Sequence, residues 1–309
     1  MPKVTIIMPV YNAEKYIEKA INSILEQSYK NFELLIIDDC SRDNSMKIVN
    51  EFKDNRLRII HNIENKGIAY SRNRGLVESK SEYIALMDND DIAIVNRLEK
   101  QVYFLDKNSD IDVVGGALQE INEYDEIKTK KNIPLNNPKY IKAYLMFYNA
   151  VSNGSAMFRK KYVDKFNIRY QDNYLGMEDY RFWIDCSLRG NITNLEDVFL
   201  LWRRYESNET SRIKQTMLLE RKKLYANIQK YALSQNGYSL DEQELVVLNK
   251  AFTENVSKVE NNGELENLHK VLKKIILQAE EKKVENAQEV KIMCKKLFAK
   301  KIYNSYLWD

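Results

Sequence analysis

The chain is 309 residues long, with 48 Lys and Arg against 45 Asp and Glu, 44% hydrophobic and 30% charged residues. That is apolar content enough for a packed core, so wholesale disorder is excluded. Nine glycines exclude collagen-like and low-complexity architectures, and a net charge of +3 without clustered arginines and stacking aromatics excludes a nucleic-acid-binding protein.

The length approaches the limit of a single core, so one large domain with a smaller appendage is expected. Along the chain, short apolar runs first alternate with helical patterns, the signature of a parallel sheet covered by helices. The runs are Val4 to Met8, Phe32 to Ile37, Leu57 to Ile60, Tyr83 to Met87 and Val113 to Val114. Between the first two, Tyr16, Ile17, Ala20, Ile21, Ile24 and Leu25 recur at helical spacing, with Asn12 as the expected cap and Glu14 and Glu18 near the helix start. From 121 to 211 the pattern is less regular. A helix is predicted near Pro138 to Phe147, a strand at Ser155 to Arg159, a helix near Met177 to Leu188 and a strand at Val198 to Trp202. The texture then changes to Lys/Glu-rich helical patterns carried by Ile213, Met217, Leu224, Ile228 and Tyr231, and by Leu265, Leu268, Leu272, Ile275 and Ile276. The expected division is an α/β domain over 1–211 and a helical region over 212–309.

Near the end, Lys291, Lys295, Lys296, Lys300 and Lys301 accompany one apolar face made of Val290, Met293, Cys294, Leu297 and Phe298. Such a helix either packs that face inward or lies on an anionic membrane surface. Cys40, Cys186 and Cys294 are spaced too widely for a pairing or a metal knuckle to be read, so free reduced thiols are expected. No run of about 18 apolar residues occurs, and the opening residues read as a short strand rather than a signal segment. The expectation is a cytoplasmic protein, with peripheral contact at the inner face of the plasma membrane should the last helix seek lipid.

The chemistry gathers at strand ends. Asp38 and Asp39 follow the second run, at the carboxyl end of a parallel strand where open α/β sheets bind ligands. Asp88, Asn89, Asp90 and Asp91 follow the fourth; three acids in four positions repel one another unless cations or donors lie nearby. Carboxylates without Cys or His favour Mg²⁺ or Mn²⁺, ions usually shared with substrate phosphates, so a diphosphate ligand is implied. No glycine-rich loop follows the first strand, where Pro9, Val10, Tyr11, Asn12 and Ala13 stand instead; dinucleotide-fold and P-loop readings therefore fail. His61 and His269 have no local partner pattern and are expected to be structural.

Taken in order, Pro9-Val10-Tyr11-Asn12, Asp38 to Asp43, Gly67 with Arg72-Asn73 and Gly75, Asp88-Asn89-Asp90-Asp91 and Glu178-Asp179 resemble the motifs of family 2 glycosyltransferases with the GT-A fold. The resemblance spans residues 3 to 211. It implies a Rossmann-like, mostly parallel sheet flanked by helices, a UDP-sugar donor, and inverting transfer of the sugar to an acceptor hydroxyl on a glycan, lipid-linked or protein acceptor. Asp39 would then accept the imide N–H of the base, with Pro9 and Tyr11 lining base and ribose and Arg72 facing the nucleotide. Asp88 would approach ribose and diphosphate, and Asp90, with Asp88 beside it, would hold Mn²⁺ or Mg²⁺. The incoming hydroxyl needs a general base, for which Asp179 is the first choice and Glu178 the second.

Relatives carry a histidine two or three residues past an arginine after the last strand, whereas this chain has Trp202-Arg203-Arg204-Tyr205. Weaker metal affinity is therefore expected, with Arg203 or Arg204 helping to neutralise the diphosphate. The expected setting is synthesis of a bacterial surface glycan. The rival readings are a noncatalytic nucleotide-sugar-binding or scaffold module, which has no need of Asp179, and a nucleotidyltransferase, which typically has a glycine-rich opening that is missing here.

Overall fold

The computed structural model describes residues 1–128, 132, 134–174, 176–205, 217–253 and 262–306. It divides into two compact units, Met1–Asn136 with Ala150–Arg212, and Asn137–Asn149 with Ile213–Asp309. The sequence reading assigned residues 137–149 to the first domain; they cluster instead with the C-terminal helices.

The first unit is built on an eight-stranded sheet of order β3-β2-β1-β4-β7-β6-β8-β5. In chain order the strands are β1 (Val4–Val10), β2 (Phe32–Asp38), β3 (Leu57–His61), β4 (Tyr83–Leu86), β5 (Ile92–Ala93), β6 (Val113–Ile121), β7 (Met157–Arg159) and β8 (Ile192–Arg203). The pairs β3-β2, β2-β1, β1-β4 and β6-β8 are parallel; β4-β7, β7-β6 and β8-β5 are antiparallel. β1 is buried at all seven positions, the pattern of a central parallel strand covered on both faces.

The covering helices are α1 (Ile17–Leu25), α2 (Ser45–Glu51), α3 (Ile68–Glu78), α4 (Arg97–Lys107), α6 (Lys160–Lys165) and α7 (Glu178–Ser187), while α5 (Pro138–Leu145) belongs to the second unit. Asn12 does not cap α1, which begins only after Tyr16. Asn12 sits at φ +50° and its side chain accepts from the Arg42 amide. Glu14 likewise turns away from α1 and accepts from Asn44 at the start of α2. The segment 11–16 thus ties two strand ends together rather than opening a helix.

Two motif glycines have steric reasons. Gly67, at φ +85°, turns the chain into α3 in a conformation that L side chains rarely adopt. Gly75 lets α3 lie against β1, since a Cβ there would come within 2.5 Å of Ile7 Cγ2. Trp183 is fully buried on α7 against Phe158 and Phe182.

The second unit packs α5 with α8 (Leu218–Gln235), α9 (Glu242–Thr253), α10 (Asn262–Glu281) and α11 (Ala287–Tyr306). Ile213 and its neighbours lie outside the described residues. On α11, Val290, Met293, Cys294 and Leu297 are buried, and Phe298 packs on the His269 ring with centroids 4.9 Å apart. The apolar face that a membrane-lying helix requires is therefore already used for packing inside this unit. No described helix is long and apolar enough to cross a membrane. All three cysteines are free thiols.

Candidate active site

β2, β1 and β4 are parallel neighbours, so their carboxyl ends open on one edge of the sheet. Asp39 and Asp88 leave the two strands that flank β1, two strand spacings or roughly 10 Å apart. Asn89 ties this edge to β1 by donating to the Pro9 carbonyl at 2.9 Å, and the Asp39 amide donates to Val10 O at 2.8 Å. Tyr11 stands 45% exposed beside them, its ring available to a ligand.

Asp38 and Asp39 have parted roles. Asp38 accepts from the Ser41 amide at 3.0 Å and pairs with His61 Nδ1 at 2.9 Å, which makes it a turn residue and gives His61 its structural partner. Asp39 Oδ1 accepts from Asn62 Nδ2 (2.6 Å) and the Lys66 amide (3.0 Å), and Oδ2 from the Gly67 amide (2.8 Å). A carboxylate offers about four acceptor sites, so these three donors leave about one for a ligand N–H. Asp39 thereby folds the loop that leads into α3 and still presents an acceptor.

Arg72 is the centre of the site. It is 4% exposed, and its guanidinium donates to Glu178 Oε1 at 2.9 Å and Asp88 Oδ1 at 3.1 Å while lying over the Tyr170 ring. With the Asn153 amide turned so that its oxygen faces the guanidinium, Asn153 accepts from Arg72 Nη2 at 2.9 Å and donates to Tyr170 Oη at 3.1 Å. Burial opposes the Arg72 charge, but Asp88 and Glu178 outweigh it and hold the group above its usual value. Arg72 was expected to face a nucleotide; instead it is enclosed between the strand-end acids and the Glu178-Asp179 pair. The physical reason is the Glu178 carboxylate, which would otherwise be buried without a cation, with the partly exposed Asp88 as second partner.

Glu178 and Asp179 occupy the first turn of α7, where a helix favours acids. Tyr170, stacked on Phe182 of the same helix at 4.1 Å between centroids, fixes α7 relative to Arg72. Burial first, and then the Glu178 charge, push the Asp179 carboxyl up to about 6. Glu178 Oε2 is buried without a hydrogen-bond partner, an orphaned acceptor facing no protein donor.

Asp90 is also pushed up to about 6, by burial and then by the Asp88 charge, and burial with the Asp90 and Asp88 charges raises Asp91 well above the usual carboxylate range. Gly154 lies close against this cluster: a Cβ there would sit 3.2 Å from Asp88 Oδ2. Underneath, the fully buried Arg97 donates to the carbonyls of Leu86 and Ala156, to the Gln101 side-chain oxygen and to Met87 Sδ, a cation held by neutral acceptors. Among the described residues no three His, Cys, Asp or Glu side chains form a metal-binding group. Asp88, whose side chain is a third exposed, and Asp90, whose carboxyl the Asp88 charge raises, nevertheless fit the manner in which Mg²⁺ and Mn²⁺ are held, by one or two acids together with substrate phosphates.

The two arginines after the last strand depart from expectation. Arg203 is 1% exposed, stacks on Tyr16 with its guanidinium 4.4 Å from the ring centroid, and pairs with Asp125. Its amide donates to Asp91 and its Nε to the Asp90 carbonyl, both at 2.8 Å. Enclosed in this way, Arg203 cannot contact a diphosphate; it braces the acidic turn. Arg204 is half exposed, over the Trp202 ring and 3.4 Å from Glu120. Sequence reasoning missed Asn62, Asn153 and Tyr170, whose partners lie far along the chain and which carry no local signal.

The model of glycosyl transferase family 2 matches residues 5–166, over half of the chain. The chain belongs to glycosyl transferase family 2. An uncharacterized glycosyltransferase of Haemophilus influenzae is 34% identical over 223 residues, covering 69% of this chain and 68% of that protein. Escherichia coli WfgD, a UDP-Glc:α-D-GlcNAc-diphosphoundecaprenol β-1,3-glucosyltransferase, is 31% identical over 214 residues, 67% of this chain and 78% of its own. Among solved structures, S. aureus TarS 1-349 in complex with UDP-GlcNAc has a TM-score of 0.63 at 19% identity, over 98% of this chain and 89% of that one. At that identity the likeness speaks for the GT-A fold alone. The motifs at the sheet edge are therefore those of a glycosyltransferase, and the relatives include enzymes of bacterial surface glycan assembly.

Proposed function

We propose that this glycosyltransferase moves a sugar from a UDP-sugar to an acceptor hydroxyl with inversion, Asp179 serving as general base. The observation that carries the reading is the single guanidinium of Arg72 between Asp88 and Glu178, which sets the base motif beside the donor motif. A carboxyl raised to about 6 is ionised at neutral pH yet basic enough to take a proton from an attacking hydroxyl. Glu178, tied to Arg72, positions that base and is not the base itself. Asp39 keeps an acceptor site for the imide N–H of uracil, with Pro9 and Tyr11 along the base and ribose. Of Arg203 and Arg204, the half-exposed Arg204 is the one left to meet phosphate charge.

Asp88 and Asp90 would hold Mn²⁺ or Mg²⁺ with the diphosphate; such an ion, when bound, stabilises the negative charge of the departing nucleotide. A lipid-diphosphate-linked glycan is the favoured acceptor and bacterial surface glycan synthesis the favoured setting, on the strength of the relation to WfgD. A cytoplasmic location fits that role, and membrane contact would fall to the α11 lysines alone, because the apolar face of that helix is packed inward. The test is nucleotide release from UDP, dTDP and GDP sugars with Mn²⁺ or Mg²⁺. UDP donors are expected to work, and a preference for GDP donors would overturn the assignment of Asp39.

A further inference from the structure

We propose that Tyr205 is a positioning residue for the cation site, its hydroxyl fixing the Asp90 carboxylate without neutralising it. This inference rests on the reading above that Asp90 holds the metal. Tyr205 Oη lies 3.1 Å from Asp90 Oδ2. The phenol ring is braced by Tyr16, at 5.0 Å between centroids and tilted by 56°. Tyr16 is in turn covered by the Arg203 guanidinium.

The end of β8 thus grips the acidic turn at three points: the Asp90 carbonyl, the Asp91 carboxylate and, through Tyr205, the Asp90 carboxylate. What each gripping group contributes in charge is the telling feature. Arg203 approaches Asp90 only at its backbone carbonyl and pairs its charge with Asp125. The side chain that donates to the Asp90 carboxylate is a neutral phenol. A Lys or Arg in that place would compete with a divalent ion for the same charge; a phenol holds one oxygen by a hydrogen bond and leaves the charge for the ion. Outer-shell donors of this kind typically change metal affinity by about 10- to 100-fold when removed.

The experiment is a Mn²⁺ titration of the full chain with UDP present, following free Mn²⁺ by electron paramagnetic resonance, alongside nucleotide-release kinetics. Tyr205→Phe keeps the ring and removes the hydroxyl. It is expected to weaken Mn²⁺ binding about tenfold or more, with kcat at saturating Mn²⁺ within about twofold of wild type. Tyr205→Met, which fills the space without a hydroxyl, is expected to show the same loss should the ring variant melt early. Tyr103→Phe, 66% exposed on α4, is the control that binds Mn²⁺ as the wild type does. Unchanged Mn²⁺ affinity in folded Tyr205→Phe overturns the inference, as does a lost kcat with metal affinity intact. A wild-type chain that binds no Mn²⁺ in the presence of UDP overturns the metal reading itself, a result separable from either.

Discussion

The two acidic strand ends, Asp38-Asp39 after β2 and Asp88 to Asp91 after β4, look alike in sequence and are treated oppositely by the fold. The first pair is surrounded by partners from its own loop: the amides of Ser41, Lys66 and Gly67 and the Asn62 side chain donate to it, and the His61 ring lies against Asp38. Among the described residues the second cluster has one cation in direct ion pairing, Arg72 on Asp88, and two of its carboxyls are raised by burial and mutual repulsion. Acids that the protein satisfies by itself shape a loop, whereas acids left short of donors are an invitation to a cation from solution.

Breaking the under-compensated side should have the largest consequences. Asp179→Asn is expected to lower sugar transfer by about 10²- to 10⁴-fold while UDP-sugar binding, measured by calorimetry, stays within about threefold. A variant that still transfers at a tenth of the wild-type rate would remove Asp179 as the base. In the wild type, kcat/KM should fall about tenfold per pH unit below about 6, because Asp179 must be ionised to act and its carboxyl is raised to about 6. A flat profile between pH 5 and 8 would contradict the assignment.

Arg72→Met tests the bridge between the donor and base motifs. It leaves the buried Glu178 carboxylate without its cation and removes the partner of the partly exposed Asp88, so urea unfolding should show a loss of about 3–5 kcal/mol. Arg204→Ala, which removes only a half-exposed pair with Glu120, should cost less than about 1 kcal/mol. Comparable losses in the two variants would refute the central place given to Arg72.

A smaller effect sharpens the comparison from the side of stability. The folded-state carboxyl of Asp179 is raised above its unfolded value of 3.8 to about 6, so the native chain binds the proton more tightly; stability is lost as the pH rises between those values, and the full penalty of the ionised form is present above about 6. Asp179→Asn should therefore be more stable than the wild type by about 1–2 kcal/mol at pH 8, with the gain shrinking toward pH 4. The melting temperature against pH reports it, and an equal offset at both ends would show that the charge is not the cause. Least of all, Gly154→Ala should raise the Mn²⁺ requirement only a few-fold, since its Cβ presses on Asp88 at 3.2 Å, where a small shift relieves it.

Much of the fold can be read from local pattern. The apolar runs opening at Val4, Phe32, Leu57 and Tyr83 are β1 to β4 in the expected order, and Pro138 opens a helix as its position before an apolar repeat suggests. The failures have a common cause. Asn12 has the residue type of a cap but is held at φ +50° by a bond to the Arg42 amide, a partner 30 residues on. The last strand extends back to Ile192 because β6 supplies a parallel partner across a bulge, which periodicity at Val198 to Trp202 does not disclose.

The sequence by itself determined the elements, their order and the arrival of acids at strand ends, because strand period and turn chemistry are local properties of neighbouring residues. Only the tertiary structure decided which acids are satisfied and which are left for a ligand. Their donors come from elsewhere in the chain: Arg72 from 106 residues before Glu178, and Tyr205 from 115 beyond Asp90. Burial, which sets proton affinity and the strength of each pair, exists only once those distant segments have closed around the carboxylates.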